Sequence, residues 1–161
     1  MSRKFLGVNH IAVLFAMMFV AACASNNSAS TGGSDIVPGS AADLEQNIGN
    51  RVYFALDSST LDSAARAQLQ KQAQWLQQWP STTIRIEGNC DERGTREYNL
   101  ALGDRRANAV RDYLVSQGID GGRVETISFG KDAPTCGEST EGCWSQNRNG
   151  TTALTGGAVG S

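Results

Sequence analysis

Hydrophobic and polar positions along the chain predict three β-strands and a short fourth one. Hydrophobic and polar residues alternate with a period of two in residues 82–88, which is typical of a half-buried strand. The run 51–57 mixes β-branched and aromatic residues and indicates a buried strand. Residues 123–130 alternate again, and we expect Glu125, Ile127 and Phe129 to face inward. A last short strand is expected at 151–154.

Helical spacing of the apolar positions predicts two helices between these strands. The first runs from about residue 61 to Trp79, with Thr60 or Asp62 as its N-cap and Pro80 ending it. The second runs from Arg96 to about Gln117 after Thr95, a good N-cap, and stops at Gly118. Its buried stripe is expected to consist of Leu100, Gly103, Ala107, Val110 and Leu114. Helices that alternate with strands in this way predict an α+β sandwich, with the helices on one face of a small mixed sheet.

Two tryptophans near the end of the first helix have two interpretations. Trp75 and Trp79 could form a platform on which a carbohydrate ring stacks, or they could pack at the helix end. Packing is the favoured interpretation.

The first 22 residues have the layout of a secretory signal. Arg3 and Lys4 give a positive start, and the apolar run 11–22 that follows is too short to span a bilayer comfortably. Residues 20–23 resemble a bacterial lipobox, which implies cleavage before Cys23 and lipidation of its thiol; an ordinary signal with a chance cysteine is the alternative. Several acyl chains on Cys23 would anchor the protein firmly in a membrane.

Residues 23–50 are expected to form a tether between Cys23 and the domain. The segment 24–41 is rich in Ser, Gly and Asn and nearly lacks apolar residues, so we expect a flexible coil with a reach of about 25 Å. The segment 43–50 carries Leu44 and Ile48 at helical spacing and could be a short turn packed on the domain. The folded domain is expected over 51–155, followed by a disordered tail over 156–161.

Composition and charge exclude several classes of function. Hydrophobic residues make up 40% of the chain, enough for the core of one domain. The formal charge of −2 becomes −4 without Arg3 and Lys4, leaving 12 basic and 16 acidic residues, so nucleic acid is not an expected partner. The only histidine, His10, lies in the segment expected to be removed. Histidine-dependent catalysis and histidine metal ligation are therefore not expected.

A candidate binding site lies between the strand that ends at Gly88 and the helix that follows it. Asp91 sits in the turn after this strand, and Arg106 and Asn99 share one shoulder of the helix, beside its buried stripe. A carboxylate and a guanidinium across one groove suit a ligand that carries an ammonium and a carboxylate on one carbon. From spacing alone, a solvated charged surface with a structural salt bridge is the stronger interpretation.

The string GNCDERGTREYNLALGDRRANAV (88–110) resembles the signature of the OmpA-like peptidoglycan-binding domain. VYFALDSSTL near the start and WSQNRN near the end extend the resemblance over about residues 51–154. The resemblance implies a βαβαββ fold in which Asp91 and Arg106 hold the free amino-acid end of diaminopimelate. It also implies that Leu56 and Asp57 line the same pocket. Gly94 and Asn99 would help to shape that pocket.

The resemblance further implies a non-enzymatic outer-membrane lipoprotein that uses no cofactor or metal. Such a protein would tether the outer membrane to peptidoglycan, with its domain facing the periplasm. Expected partners are TolB and other components of the Tol-Pal system, which supports envelope integrity and cell division. Two alternatives stay open at this point: an OmpA-like structural lipoprotein that does not bind the wall, and a periplasmic thiol or redox protein.

Three cysteines besides Cys23 are expected to meet an oxidising compartment. Cys136 and Cys143 are separated by a short loop and are the favoured disulfide pair, with two free thiols as the alternative. Such a loop closure contributes about 2 to 3 kcal/mol. Cys90 follows the end of a strand and is interpreted as a small buried residue rather than a nucleophile. The CxxC spacing of thioredoxin-like proteins is absent.

Overall fold

The computed structural model describes residues 36–157, which form a four-stranded mixed sheet and four helices. Helix α1 at Ala41–Asp43 comes first along the chain and continues as one π-helical turn at Leu44–Ile48. The other elements follow in sequence: β1 Arg51–Tyr53, α2 Ser63–Gln78, β2 Thr83–Asn89, α3 Arg96–Ser116, β3 Val124–Gly130, α4 Glu141–Asn147 and β4 Asn149–Gly156. The α+β sandwich predicted from the sequence is confirmed.

The strand order across the sheet is β1-β4-β2-β3. Strand β4 pairs antiparallel with both β1 and β2, whereas β2 and β3 are parallel. A parallel pair needs a crossover connection, and α3 provides it across one face of the sheet. The fourth strand, predicted as a short strand at 151–154, is the longest strand at Asn149–Gly156 and lies inside the sheet.

The predicted inward face of β3 was wrong. Val124 is buried, whereas Glu125 and Ile127 are exposed. In the parallel ladder Val124 lies beside Ile84, whose side chain is completely buried under the helices. Since neighbouring residues in a ladder share a face, the register with β2 decided the direction of these side chains.

Helix α3 rests directly on the backbone of β2. A Cβ atom placed on Gly88 would lie 1.8 Å from the carbonyl oxygen of Gly103, so only two glycines permit this approach. The Ser128 hydroxyl donates to the Leu100 carbonyl at 2.7 Å and holds the same helix to β3. This close contact sets how deeply the next turn of α3, which carries Arg106, sits at the end of the sheet.

The packed domain starts before Arg51. Leu44 is only 1% exposed, and the Trp75 indole donates to the Asp43 carboxylate at 2.8 Å. Residues 41–48 are thus helical and belong to the domain, which corrects the C-terminal end of the tether predicted over 23–50. Strand β1 is shorter than the predicted 51–57, because the chain leaves the sheet after Tyr53.

The two tryptophans pack at the end of α2, as the favoured interpretation predicted. Trp75 is buried, and the two ring centroids lie 6.5 Å apart in a tilted arrangement. Asp62, rather than Thr60, is the N-cap of α2 and accepts the Ala65 N–H.

The predicted signal segment 1–22, the lipidation site Cys23 and residues 158–161 of the predicted tail lie outside the described residues. In the described part, 36–157, no helix combines the length and apolar character needed to cross a bilayer.

Candidate ligand-binding site

A pocket of about 280 Å³ lies where β1 and β2 end and α3 begins. Every residue proposed from the sequence for ligand binding lines it. The complete lining consists of Leu56, Asp57, Cys90, Asp91, Arg93, Gly94, Tyr98, Asn99, Leu102, Arg106 and Arg148. The structure therefore brings together residues from four separate parts of the sequence.

Arg106 forms the floor of the pocket and is completely buried. Its guanidinium donates to the carbonyl oxygens of Ser58 at 2.8 Å, Asn89 at 2.8 Å and Ala55 at 3.1 Å. Burial lowers the pKa of Arg106 from its usual value, and the neighbouring Cys90 and Asp91 oppose that shift. A guanidinium has more N–H donors than these three bonds use, so it can still bind an anion.

Asp91 forms the opposite wall and is 4% exposed. It pairs with Arg93 through Nη2 at 2.6 Å, Nε at 3.1 Å and the backbone N–H at 3.1 Å. Arg148 Nη1 adds a fourth bond at 3.2 Å. Burial would raise the pKa of Asp91, but these bonds outweigh burial and hold the pKa below its usual range. Asp91 is therefore a charged carboxylate whose ion-pair partners are Arg93 and Arg148 and not Arg106.

Sequence reasoning missed Arg93 and Arg148 as residues of the pocket. Arg148 is buried and also donates to the Phe54 carbonyl at 3.1 Å and to Glu141 at 2.6 Å. Arg93 stacks over the Trp144 ring at 4.2 Å. Both stood in quoted strings, Arg93 in GNCDERG and Arg148 in WSQNRN, but only the fold brings Arg148, the residue before β4, to Asp91.

The turn between β2 and α3 keeps its shape through its own residues. Gly94 has a φ of +91°, which favours glycine. The Asn99 amide donates to the carbonyls of Arg93 at 2.8 Å and Thr95 at 3.0 Å, and the Thr95 hydroxyl caps α3. The predicted shaping residues therefore act by closing this turn, at the side of the pocket that carries Asp91.

The remaining side of the pocket comes from the loop after β1. Leu56 is 57% exposed and offers apolar surface at the mouth. Asp57 has a φ of +54° and accepts the Tyr98 hydroxyl, a bond that raises the pKa of Tyr98. A non-glycine residue at positive φ is strained, and here it fixes a carboxylate beside the pocket.

The cysteines separate into a structural pair and a buried thiol. Cys136 and Cys143 form a disulfide with Cα atoms 5.1 Å apart. Cys90 is buried in the pocket wall, where its thiol faces the Asn99 carbonyl at 3.4 Å. Burial raises the pKa of Cys90, while Arg106 opposes that shift, so the thiol form dominates at neutral pH. Over residues 36–157 there is no group of side chains suited to hold a metal ion.

Comparison of the chain with known proteins shows which family it resembles. The model described as OmpA family matches residues 53–149. The peptidoglycan-associated lipoprotein of Brucella melitensis is 47% identical over 150 residues, which cover 89% of each chain. That of Rhizobium meliloti is 52% identical over 125 residues, covering 78% of this chain and 71% of the relative.

Solved structures agree with these sequence relationships. The peptidoglycan-associated lipoprotein of Burkholderia pseudomallei superposes with a TM-score of 0.67 at 39% identity and covers 71% of this chain and 98% of its own. The C-terminal domain of Helicobacter pylori MotB has a TM-score of 0.62 at 16% identity, covering 66% and 84% respectively. At that identity the MotB likeness concerns the fold alone.

Proposed function

The chain belongs to the OmpA family and, within it, to the peptidoglycan-associated lipoproteins, and from this premise we propose that it tethers the outer membrane to peptidoglycan without covalent bonds. The ligand is the free amino-acid end of diaminopimelate in the wall peptide. Asp91 receives the ammonium group and Arg106 the carboxylate. Leu56, Asp57, Gly94 and Asn99 shape the pocket around them.

One observation carries this proposal: a buried carboxylate and a buried guanidinium line the same pocket without pairing with each other. Groups of opposite charge that line one pocket and do not pair with each other can each bind the complementary charge of a zwitterion. The Arg106 side chain is already fixed by three bonds to carbonyls, so little of its conformational entropy would be lost on binding.

The position of the pocket supports a tethering function. Gly39 packs against the Trp79 ring, beyond the end of the sheet at which β2 begins. The pocket lies where β2 ends, and the strand from Thr83 to Asn89 spans about 20 Å. Gly39, near the start of the described residues, therefore lies at the end of the sheet remote from the pocket. A tether that joins the domain on this side would leave the pocket free for the wall.

Anchoring makes modest affinity sufficient. Hydrogen bonds to charged groups contribute about 1.5 to 3 kcal/mol each, so a single site of this size binds moderately. Acyl chains on Cys23 would hold the domain at the outer membrane, close to a wall that offers many copies of the ligand. The high effective concentration of wall peptides around the anchored domain then compensates for the moderate affinity of each site.

The proposal includes the partners that accompany this family. We place the protein in the Tol-Pal system, with TolB as a partner and with functions in envelope integrity and cell division. Its location in this proposal is the periplasmic side of the outer membrane. The protein acts by binding, not as an enzyme.

Sedimentation with purified sacculi tests the proposal. The purified chain should pellet with walls that contain diaminopimelate, and Asp91→Asn should lower the pelleted fraction at least tenfold, since the ammonium loses its charged partner. Asp104→Asn is the matched control, because Asp104 lies exposed on α3 outside the pocket and makes the same change of charge. If wild type fails to pellet, or if both variants behave alike, the proposal is wrong.

The same experiment separates the alternative functions. A structural lipoprotein without wall binding would not pellet at all. A thiol protein would lose its function in Cys90→Ser and keep it in Asp91→Asn. The burial and raised pKa of Cys90 favour wall binding over thiol chemistry.

A further inference from the structure

We infer that Arg93 occupies the ammonium subsite of the pocket and is displaced from Asp91 when the ammonium group of diaminopimelate binds. This inference rests on the proposed function and identifies a side chain that sets the affinity of the same site. Its basis is the way in which Asp91 is already bonded.

Both oxygens of Asp91 are saturated in the structure. Oδ1 accepts the backbone N–H and the Nε–H of Arg93, and Oδ2 accepts Nη2 of Arg93 and Nη1 of Arg148. A carboxylate oxygen has about two lone-pair sites, so an ammonium group cannot bind Asp91 at full strength without displacing one of these donors.

Arg148 is held in place by the protein. Its side chain is 8% exposed and has two further partners, the Phe54 carbonyl at 3.1 Å and Glu141 at 2.6 Å. Moving Arg148 would leave the carbonyl of the buried Phe54 without its side-chain donor and would expose Arg148 from a site in which it is buried, which is costly. The backbone N–H of Arg93 is fixed by the turn that Asn99 closes.

The Arg93 side chain is the donor that can move. It is 34% exposed, and two other favourable contacts already surround it. Its guanidinium lies 4.2 Å from the centre of the Trp144 ring, and Nη2 lies 3.8 Å from Glu141 Oε2. A cation over a tryptophan face and beside a carboxylate is stabilised in that position. Arg93 can therefore release Asp91 and keep its charge compensated.

This arrangement predicts that removal of the Arg93 side chain improves binding. In wild type the ligand ammonium competes with a guanidinium for Asp91, whereas in Arg93→Ala or Arg93→Gln it finds a carboxylate with free acceptor sites. We expect the Kd for a soluble stem peptide that ends in meso-diaminopimelate to fall by about three- to tenfold. Arg96→Gln is the matched control, because it removes an exposed arginine that pairs with Asp132 outside the pocket. Its Kd should equal that of wild type.

A second measurement follows the exchange itself. Trp144 does not line the pocket, whereas Arg93 both lines the pocket and stacks on the Trp144 ring, so displacement of Arg93 should change the Trp144 fluorescence. Saturating peptide should shift the emission of wild type, and the shift should be absent in Arg93→Gln. Trp144→Phe identifies the signal against that of Trp75 and Trp79.

The outcomes separate this inference from the proposed function. If wild type does not bind the peptide, the proposed function itself fails. If wild type binds and both Arg93 variants bind equally or more weakly, Arg93 is a ligand contact or a structural residue, and the exchange is refuted. Tighter binding together with loss of the Trp144 shift supports it.

Discussion

Replacement of Arg106 tests whether the pocket floor also holds the domain together. The guanidinium is completely buried and is the hydrogen-bond donor to the carbonyls of Ala55, Ser58 and Asn89. The first two belong to the loop after β1 and the third to the end of β2, so one side chain joins two segments of the pocket. Arg106→Ala leaves all three acceptors without this donor.

The size of the effect follows from these bonds. Loss of the donor to the buried Asn89 carbonyl costs about 1 to 3 kcal/mol, and loss of the two part-buried bonds to Ser58 and Ala55 costs about 0.5 to 1.5 kcal/mol each, which gives about 2 to 6 kcal/mol in total. Two terms reduce the upper end of that range, because a buried charge is removed and the Ala55 carbonyl keeps the Ser58 N–H as a donor. We therefore expect Arg106→Ala to lower the free energy of unfolding by about 2 to 4 kcal/mol, a large part of the stability of a small domain.

Urea unfolding followed by circular dichroism measures this loss. With a slope of about 2 kcal/mol per molar urea, the midpoint should fall by about 1 to 2 M. Arg105→Ala is the matched control, since the adjacent arginine on the same helix is exposed and its loss should change stability by less than about 0.5 kcal/mol. Arg106→Lys keeps the charge but not the planar fork, so its stability should lie between those of wild type and Arg106→Ala.

Equal midpoints for Arg105→Ala and Arg106→Ala would refute the reasoning, because Arg106 would then contribute only to the ligand site. The expected result also bears on binding experiments. Loss of wall binding in Arg106→Ala has to be read together with its unfolding curve, whereas Asp91→Asn tests the ligand site more directly.

Three further predictions concern other contacts of the domain. Hydrogen bonds lower the pKa of Asp91 in the folded state despite its burial. Its contribution to stability should therefore be complete above about pH 3.9 and disappear as the pH falls through the folded pKa. The free energy of unfolding of Asp91→Asn should lack this pH dependence. The double variant Cys136→Ser, Cys143→Ser should lose about 2 to 3 kcal/mol of stability on chemical denaturation yet keep sacculus binding, because the Asn147 side chain still holds the loop backbone at Cys136. Gly88→Ala should lower the melting temperature strongly, since its Cβ would meet the carbonyl of the facing helix at 1.8 Å, and an unchanged melting temperature would contradict the backbone contact.

Local patterns in the sequence were sufficient for the main elements. The period of two in β2 and the cap at Thr95 depend on neighbouring residues alone, and both agree with the structure. The inward face of β3 was not accessible in this way. Both sets of its alternating residues contain apolar members, so only the pairing with β2 decides which set is buried.

Some residues of the ligand site could also be selected from the sequence, whereas others could not. Asp91 and Arg106 lie 15 positions apart in one continuous string, so spacing and a family resemblance were enough to select them. Arg148 comes from the other end of the domain, and its pairing with Asp91 depends on β4 entering the sheet between β1 and β2. Which charges are available can be read from the amino-acid sequence, because charge is a property of single residues. Which of them share a pocket, and which already neutralise one another, depends on the fold, because those distances follow from strand order and from how closely α3 approaches the sheet.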